Sequence, residues 1–152
     1  MSRADIGVFR KVLVAMDGSA HATRALEVAL TFAAKCEAEV ILFHAVELHP
    51  MREDLERRVD AAARQIYQRV GEELAKEVLD RAGERVRAAG LEPTRQIGSG
   101  GAAQAIVDAA QAAKVDLIVV GTRGLTGVHG LALGSVAHKV TSMAPCPVMV
   151  VR

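Results

Sequence analysis

The chain has 152 residues and a mass of 16.1 kDa, room for one domain that buries roughly two-thirds of its unfolded surface. Hydrophobic residues at 51% and charged residues at 24%, with 19 Lys+Arg against 18 Asp+Glu for a formal charge of +1, describe a globular protein without a polyanion-binding field. Aromatics at 3%, with no Trp and one Tyr, remove the stacking platforms of single-stranded nucleic-acid binders, so no nucleic-acid partner is expected.

The apolar residues come in short runs such as Val40–Phe43 and Leu117–Val120, far below the ~18 needed to span a bilayer, and no membrane role is expected. Met1–Val8 carries Arg3 and Asp5 and lacks a continuous apolar stretch, so the expected location is cytoplasmic. Cys36 and Cys146 form no CxxC pair, and no histidines stand in HxxH or HExxH spacing. Reduced, packed thiols and no structural zinc follow.

Lys11–Met16 is a β-branched run that stops at Asp17-Gly18-Ser19, a turn followed by a helix N-cap. Leu26, Leu30 and Ala33, with Ala22 and Ala29, then make one apolar helical face through about Cys36. A second strand is expected at Glu39–Val46. From about Glu53 to Ala89, Leu55, Val59, Ala62, Ile66, Val70, Leu74, Val78 and Val86 recur at helical intervals, predicting one long helix, or two joined near Gly71, ended by Gly90. Its apolar residues face a core or dock a partner.

Pro93–Ile97 reads as a third strand, Gly98–Gly101 as a glycine turn, and Ala102–Ala113 as a helix with Ala102, Ala105, Ile106 and Ala109 on one face. Val115–Val120, apolar almost throughout, predicts a central parallel strand covered on both faces. A glycine-rich loop from Gly121 to Gly134, a helix from Ser135 to about Met143, and a strand Val148–Val151 behind Pro145 and Pro147 complete the chain. Five strands alternating with helical segments require crossovers, hence an α/β fold with a doubly wound parallel sheet.

In such sheets ligands bind beyond the carboxyl ends of the strands, where the strand order reverses. The loop after the fourth strand reads Gly121-Thr-Arg-Gly124, nine residues, then Gly134-Ser135 at a helix start. Glycines admit an anion close to backbone N–H groups, and a helix N-terminus adds free donors and the positive dipole end, so the segment is a candidate phosphate cradle. Ser135 serves there as N-cap, as phosphate donor, or as both; Arg123 supplies a charge-assisted contact, and His129 lies within reach in the same loop. The alternative is a surface loop whose glycines only make turns.

No GxxxxGK[ST] occurs, so a Walker-type loop is absent. Gly98-x-Gly100-x-x-Ala103 matches the loose dinucleotide pattern, but Asp116 falls at the start of the fourth strand, away from a ribose. Asp17, ending the first strand, shares the ligand edge: it binds a ribose hydroxyl, holds a divalent ion against phosphates, or simply makes the Asp-Gly turn. His44 reads as a satisfied strand histidine, and His21 and His138 as helix-surface residues. The last strand, apolar and at the sheet edge, suggests a two-fold dimer.

Val12-Leu-Val-Ala-Met-Asp-Gly-Ser19, the Gly121-x-x-Gly124-(nine residues)-Gly134-Ser135 loop and Ala144-Pro-Cys-Pro-Val148-Met-Val-Val151 together resemble the universal stress protein family, in the form carried by its ATP-binding members. The resemblance covers nearly the whole chain. It implies a five-stranded sheet of order 3-2-1-4-5 with helices on both faces, a homodimer through the last strand, and an adenine nucleotide between the first and fourth strand ends. Carried onto matching positions, Ala15, Met16 and Asp17 meet adenine and ribose, and Val46 closes the adenine pocket. Gly121, Arg123, Gly124, Gly134, Ser135 and Val136 line the ribose and phosphates. The implied cofactor is ATP, with Mg or Mn held at Asp17.

The expected role is a nucleotide-dependent stress-response regulator with at most slow hydrolysis. A slow ATPase or autophosphorylating enzyme, and a dimer that works through partners without nucleotide, are the alternatives.

Overall fold

The computed structural model describes residues 9–47, 60–123 and 133–152. Strands β1 (Lys11–Ala15), β2 (Glu39–Val46), β3 (Pro93–Ser99), β4 (Leu117–Gly121) and β5 (Val148–Val151) alternate with helices α1 (Ala20–Cys36), α2 (Ala61–Ala88), α3 (Ala102–Ala113) and α4 (Ser135–Met143). All strand pairs are parallel and the order is β3-β2-β1-β4-β5. The expected doubly wound sheet is the observed one.

Side-chain alternation splits the core into two layers. Val12, Val14, Val40, Leu42, Leu117 and Val119 pack under α1 and α2, whereas Leu13, Ile41, Phe43, Ile118 and Val120 pack under α3 and α4. The central strands β1 and β4 are covered on both faces, which is why they read as unbroken apolar runs. Edge strand β3 instead exposes Thr94, Arg95 and Ile97.

Three strands differ from expectation in their bounds; β1 ends at Ala15, one residue short of Met16. β4 is Leu117–Gly121, two residues beyond the expected start, because Asp116 accepts the Arg10 and Lys11 amides through Oδ2 at 2.8 and 2.9 Å and closes the sheet's amino edge. β3 runs on through Gly98 and Ser99, paired to Ala45 and Val46. Gly98 is a strand glycine because the Phe43 ring lies 2.5 Å from where its Cβ would stand. The turn itself is Gly100, at φ +97, with Gly101.

Helix α2 is continuous through Gly71 and begins behind Asp60, whose carboxylate accepts the Ala63 amide at 2.8 Å. The expected residues 53–59 lie outside the described part. Its core face is Ala75, Leu79, Ala82, Gly83 and Val86, and not the row through Ile66, Val70 and Leu74, which are exposed. Leu74 is on the outer face beside buried Ala75, and Gly71 accounts for Ile66 and Val70. The missing Cβ of Gly71 would stand 2.6 Å from Cγ1 of Val46, the last residue of β2, so the ten residues before it extend past the strand end. On α3 the buried row is Ala103, Ile106, Val107 and Ala110, one position round from the expected face.

Candidate nucleotide-binding site

The strand order reverses between β1 and β4, so their carboxyl ends and the segments that leave them bound the crevice in which such sheets bind ligands. β1 leaves through Met16, Asp17 and Gly18. Asp17 Oδ1 accepts the Ser19 amide at 2.8 Å, and Gly18 turns at φ +83, so the Asp-Gly turn is real. Ser19 then caps α1, its hydroxyl oxygen accepting the Ala22 amide at 3.1 Å. Asp17 Oδ2 has no partner among the described residues and is the atom free to meet a ligand hydroxyl or cation.

Met16 sits deeper than the expected adenine contact suggests. Its N–H donates to Phe43 O at 2.8 Å and its carbonyl accepts from His44 Nδ1 at 2.7 Å, which fixes the proton on that ring nitrogen. Its side chain is buried in the α1–α2 layer. Ala15 is half-buried at the end of β1. Val46 is buried at the end of β2 and turns towards Gly71 of α2.

On the other side, Gly121 ends β4 and Thr122 follows, buried. A Cβ on Gly121 would stand 2.8 Å from the His21 backbone carbon, and one on Gly134 would stand 2.8 Å from Thr122 O. These two glycines are therefore required by close packing of α1 on β4 and by closure of the loop. Gly134 donates its N–H to Thr122 O at 2.6 Å and, with extended backbone (φ −69°, ψ 163°), is itself the N-cap of α4. Ser135 is accordingly not the cap. It is the first helical residue, exposed, and of its expected roles only that of donor remains.

The four helix starts differ in one respect. Ser19 caps α1 and Asp60 caps α2, while the first amide of α3, Ala102 N–H, is held by Glu47 Oε1 at 3.0 Å. α4 has no side-chain acceptor at its N-terminus, and the first-turn amides of Ser135, Val136 and Ala137 have no acceptor among the described residues. Arg123 is half-buried beside Gly134, its Cα 3.4 Å from the position of the missing Cβ. Val136 is exposed. Gly124 and His129 lie outside the described residues.

His21 is the residue that sequence reading misplaced. It is half-buried in the first turn of α1, and its Nδ1 lies 3.3 Å from Thr122 Oγ1. The contact joins α1 to the residue after β4, far along the chain, and no local pattern in the sequence marks it. His44 and His138 stand where expected, the first tied to Met16, the second on the exposed side of α4.

Comparison with known proteins agrees with this geometry: the family model described as "Universal stress protein family" matches residues 9–152. The chain belongs to the universal stress protein family. Among its relatives is a Thermus aquaticus member described as "Universal stress protein in QAH/OAS sulfhydrylase 3'region", 40% identical over 151 residues, covering 95% of this chain and all of that one. Among solved members, universal stress protein UspA from Lactobacillus plantarum superposes with a TM-score of 0.80 at 25% identity, over 95% of this chain and 98% of its own. A universal stress protein solved in complex with cAMP gives 0.72 at 30% identity, over the same 95% and 98%.

The residues at the crevice suit a phosphate-bearing ligand: a helix start whose first amides have no acceptor among the described residues, a half-buried arginine beside it, and a carboxylate oxygen at the end of β1 without a partner among them. A divalent ion finds less protein. Among the described residues no group of three or more His, Cys, Asp or Glu side chains comes together.

Proposed function

We propose that this protein is an adenine-nucleotide-binding regulator, with ATP as the ligand and a divalent ion bridging Asp17 and the phosphates. The observation that carries the reading is the N-terminus of α4 at the switch point, whose first-turn amides have no acceptor among the described residues, whereas the other helices are capped from within the protein. The family member solved with cAMP, at 30% identity, supports the adenine class. In this reading Ser135 and Val136 present amides to phosphate, Arg123 adds charge, and Asp17 Oδ2 takes the ribose or the cation. Ala15 and Val46 flank the base, Met16 buttresses it from below, and Gly121, Gly124 and Gly134 shape the wall.

The protein works as a homodimer in the cytoplasm. The two sheet edges support the dimer: β3 is guarded by Thr94, Arg95 and Gln96, with Arg95 paired to Asp80 at 2.7 Å, whereas β5 is Val-Met-Val-Val and half-exposed.

Calorimetric titration with ATP, AMP and cAMP, with and without Mg²⁺, tests the ligand. Ser135→Asp places a carboxylate at the first position of α4, where it favours the helix dipole but repels phosphate. The expected result is an unchanged or raised melting temperature with ATP affinity lowered at least about tenfold. Equal affinity in the variant and the parent would remove the α4 terminus from the site.

A further inference from the structure

Thr122 touches three elements at once. Its N–H donates to Val151 O at 2.8 Å at the end of β5, its carbonyl accepts the Gly134 N–H at 2.6 Å at the start of α4, and its hydroxyl lies 3.3 Å from His21 Nδ1 in the first turn of α1. Among the described residues no hydrogen bond or ion pair joins α1 to α4 directly. Thr122 is buried, and the missing side chains of Gly121 and Gly134 let both neighbours close on it. We propose that Thr122, held by His21, is a positioning residue that sets the separation between the Asp17–Ser19 turn and the amides of α4.

The argument is one of tolerance. An array of backbone donors recognises phosphate only if its distance from the group that holds the rest of the ligand is fixed to within a fraction of an ångström. Asp17 belongs to the turn that Ser19 caps, and His21 stands one helical position beyond the first residue of that helix. The hydroxyl–imidazole contact therefore ties the carboxylate wall to the amide wall through one side chain. The two backbone bonds of Thr122 hold α4 to β4 and β5, but only its hydroxyl reaches α1.

The inference rests on the nucleotide reading, and its test separates the two. AMP affinity by calorimetry and amide exchange at Gly134 are measured for the parent chain, Thr122→Val, Thr122→Ser, His21→Ala and the Thr122→Val/His21→Ala pair. Losing one hydrogen bond should weaken AMP binding by about 3- to 10-fold in Thr122→Val and speed Gly134 exchange by a similar factor. Thr122→Ser should restore both, and the double variant should equal the single ones.

Equal AMP affinity in Thr122→Val and the parent overturns the proposal, as does weaker binding without faster Gly134 exchange, or additive losses in the double variant. Should Thr122→Val not fold, His21→Ala removes the same contact from the other side. If the parent chain binds neither AMP nor ATP, the nucleotide reading falls, and Gly134 exchange alone decides the positioning role.

Discussion

A single added methyl group separates the two kinds of glycine at the carboxyl edge. At Gly121 it would meet the backbone carbon and Cβ of His21 at 2.8 Å, whereas at Gly101, with φ −60°, it meets nothing within 4 Å. Gly121→Ala should therefore lose about 1–3 kcal/mol in urea unfolding, the usual cost of overpacking. Gly101→Ala, at the N-cap of α3, should change stability by less than about 1 kcal/mol, the unfolded-state gain being offset by the poorer capping of Ala. Cys146 permits another residue-level test. Burial, with the charge of Asp116 added, pushes its thiol above the ordinary range. Only thiolate attacks an alkylating reagent, so a raised value leaves less of it at a given pH. Iodoacetamide labelling of Cys146, followed by mass spectrometry, should be slower than that of glutathione at pH 8 and still be accelerating above pH 9.

At the scale of the element, α2 is the instructive case. Its apolar row repeats at helical spacing, so the sequence predicts the helix correctly, but it does not tell which row is covered. Ile66, Tyr67 and Val70, 63%, 61% and 49% exposed, precede Gly71, which packs on the last residue of β2, whereas Leu74, 57% exposed, lies on the outer face of the helix beside the fully buried Ala75. Leu79, 1% exposed, is on the covered face. Leu79→Ala should lose about 2–5 kcal/mol by chemical denaturation, and Leu74→Ala should change stability by less than about 0.5 kcal/mol. Equal losses would show that the outer row is covered in solution. The N-cap of α1 was more legible, since Ser19 acts through a bond to a residue three positions on. The Gly134 cap was not, because its place at the start of α4 is fixed by a bond to Thr122, twelve positions earlier.

For the whole molecule, the parallel ladder determines what β5 can do. Pro147 O accepts from Ile118 N–H and Val151 O from Thr122 N–H, so by the two-residue period Val148 and Val150 turn their backbone groups outward. Val150→Pro removes one outward donor and leaves the bonds to β4 in place. If the proposed dimer forms through this edge, light scattering should give a dimer for the parent chain and a monomer for the variant, with circular dichroism unchanged. A monomeric parent chain at about tens of micromolar would end the edge-pairing reading.

The strand–helix alternation, the parallel sheet and even the bounds of β2, α3, α4 and β5 were legible in the sequence, because they follow from local hydrophobic period and turn residues. So was the carboxyl edge as the place for a site, since Asp17 and the Gly121–Ser135 segment both leave strands there. What tertiary structure decided was which side chains those segments spend on each other. Met16 gives its backbone to Phe43 and His44, Gly121 makes room for His21, and Thr122 gathers His21, Gly134 and Val151. Each of these joins residues distant in the chain, and no periodicity encodes a contact that exists only once two elements have packed.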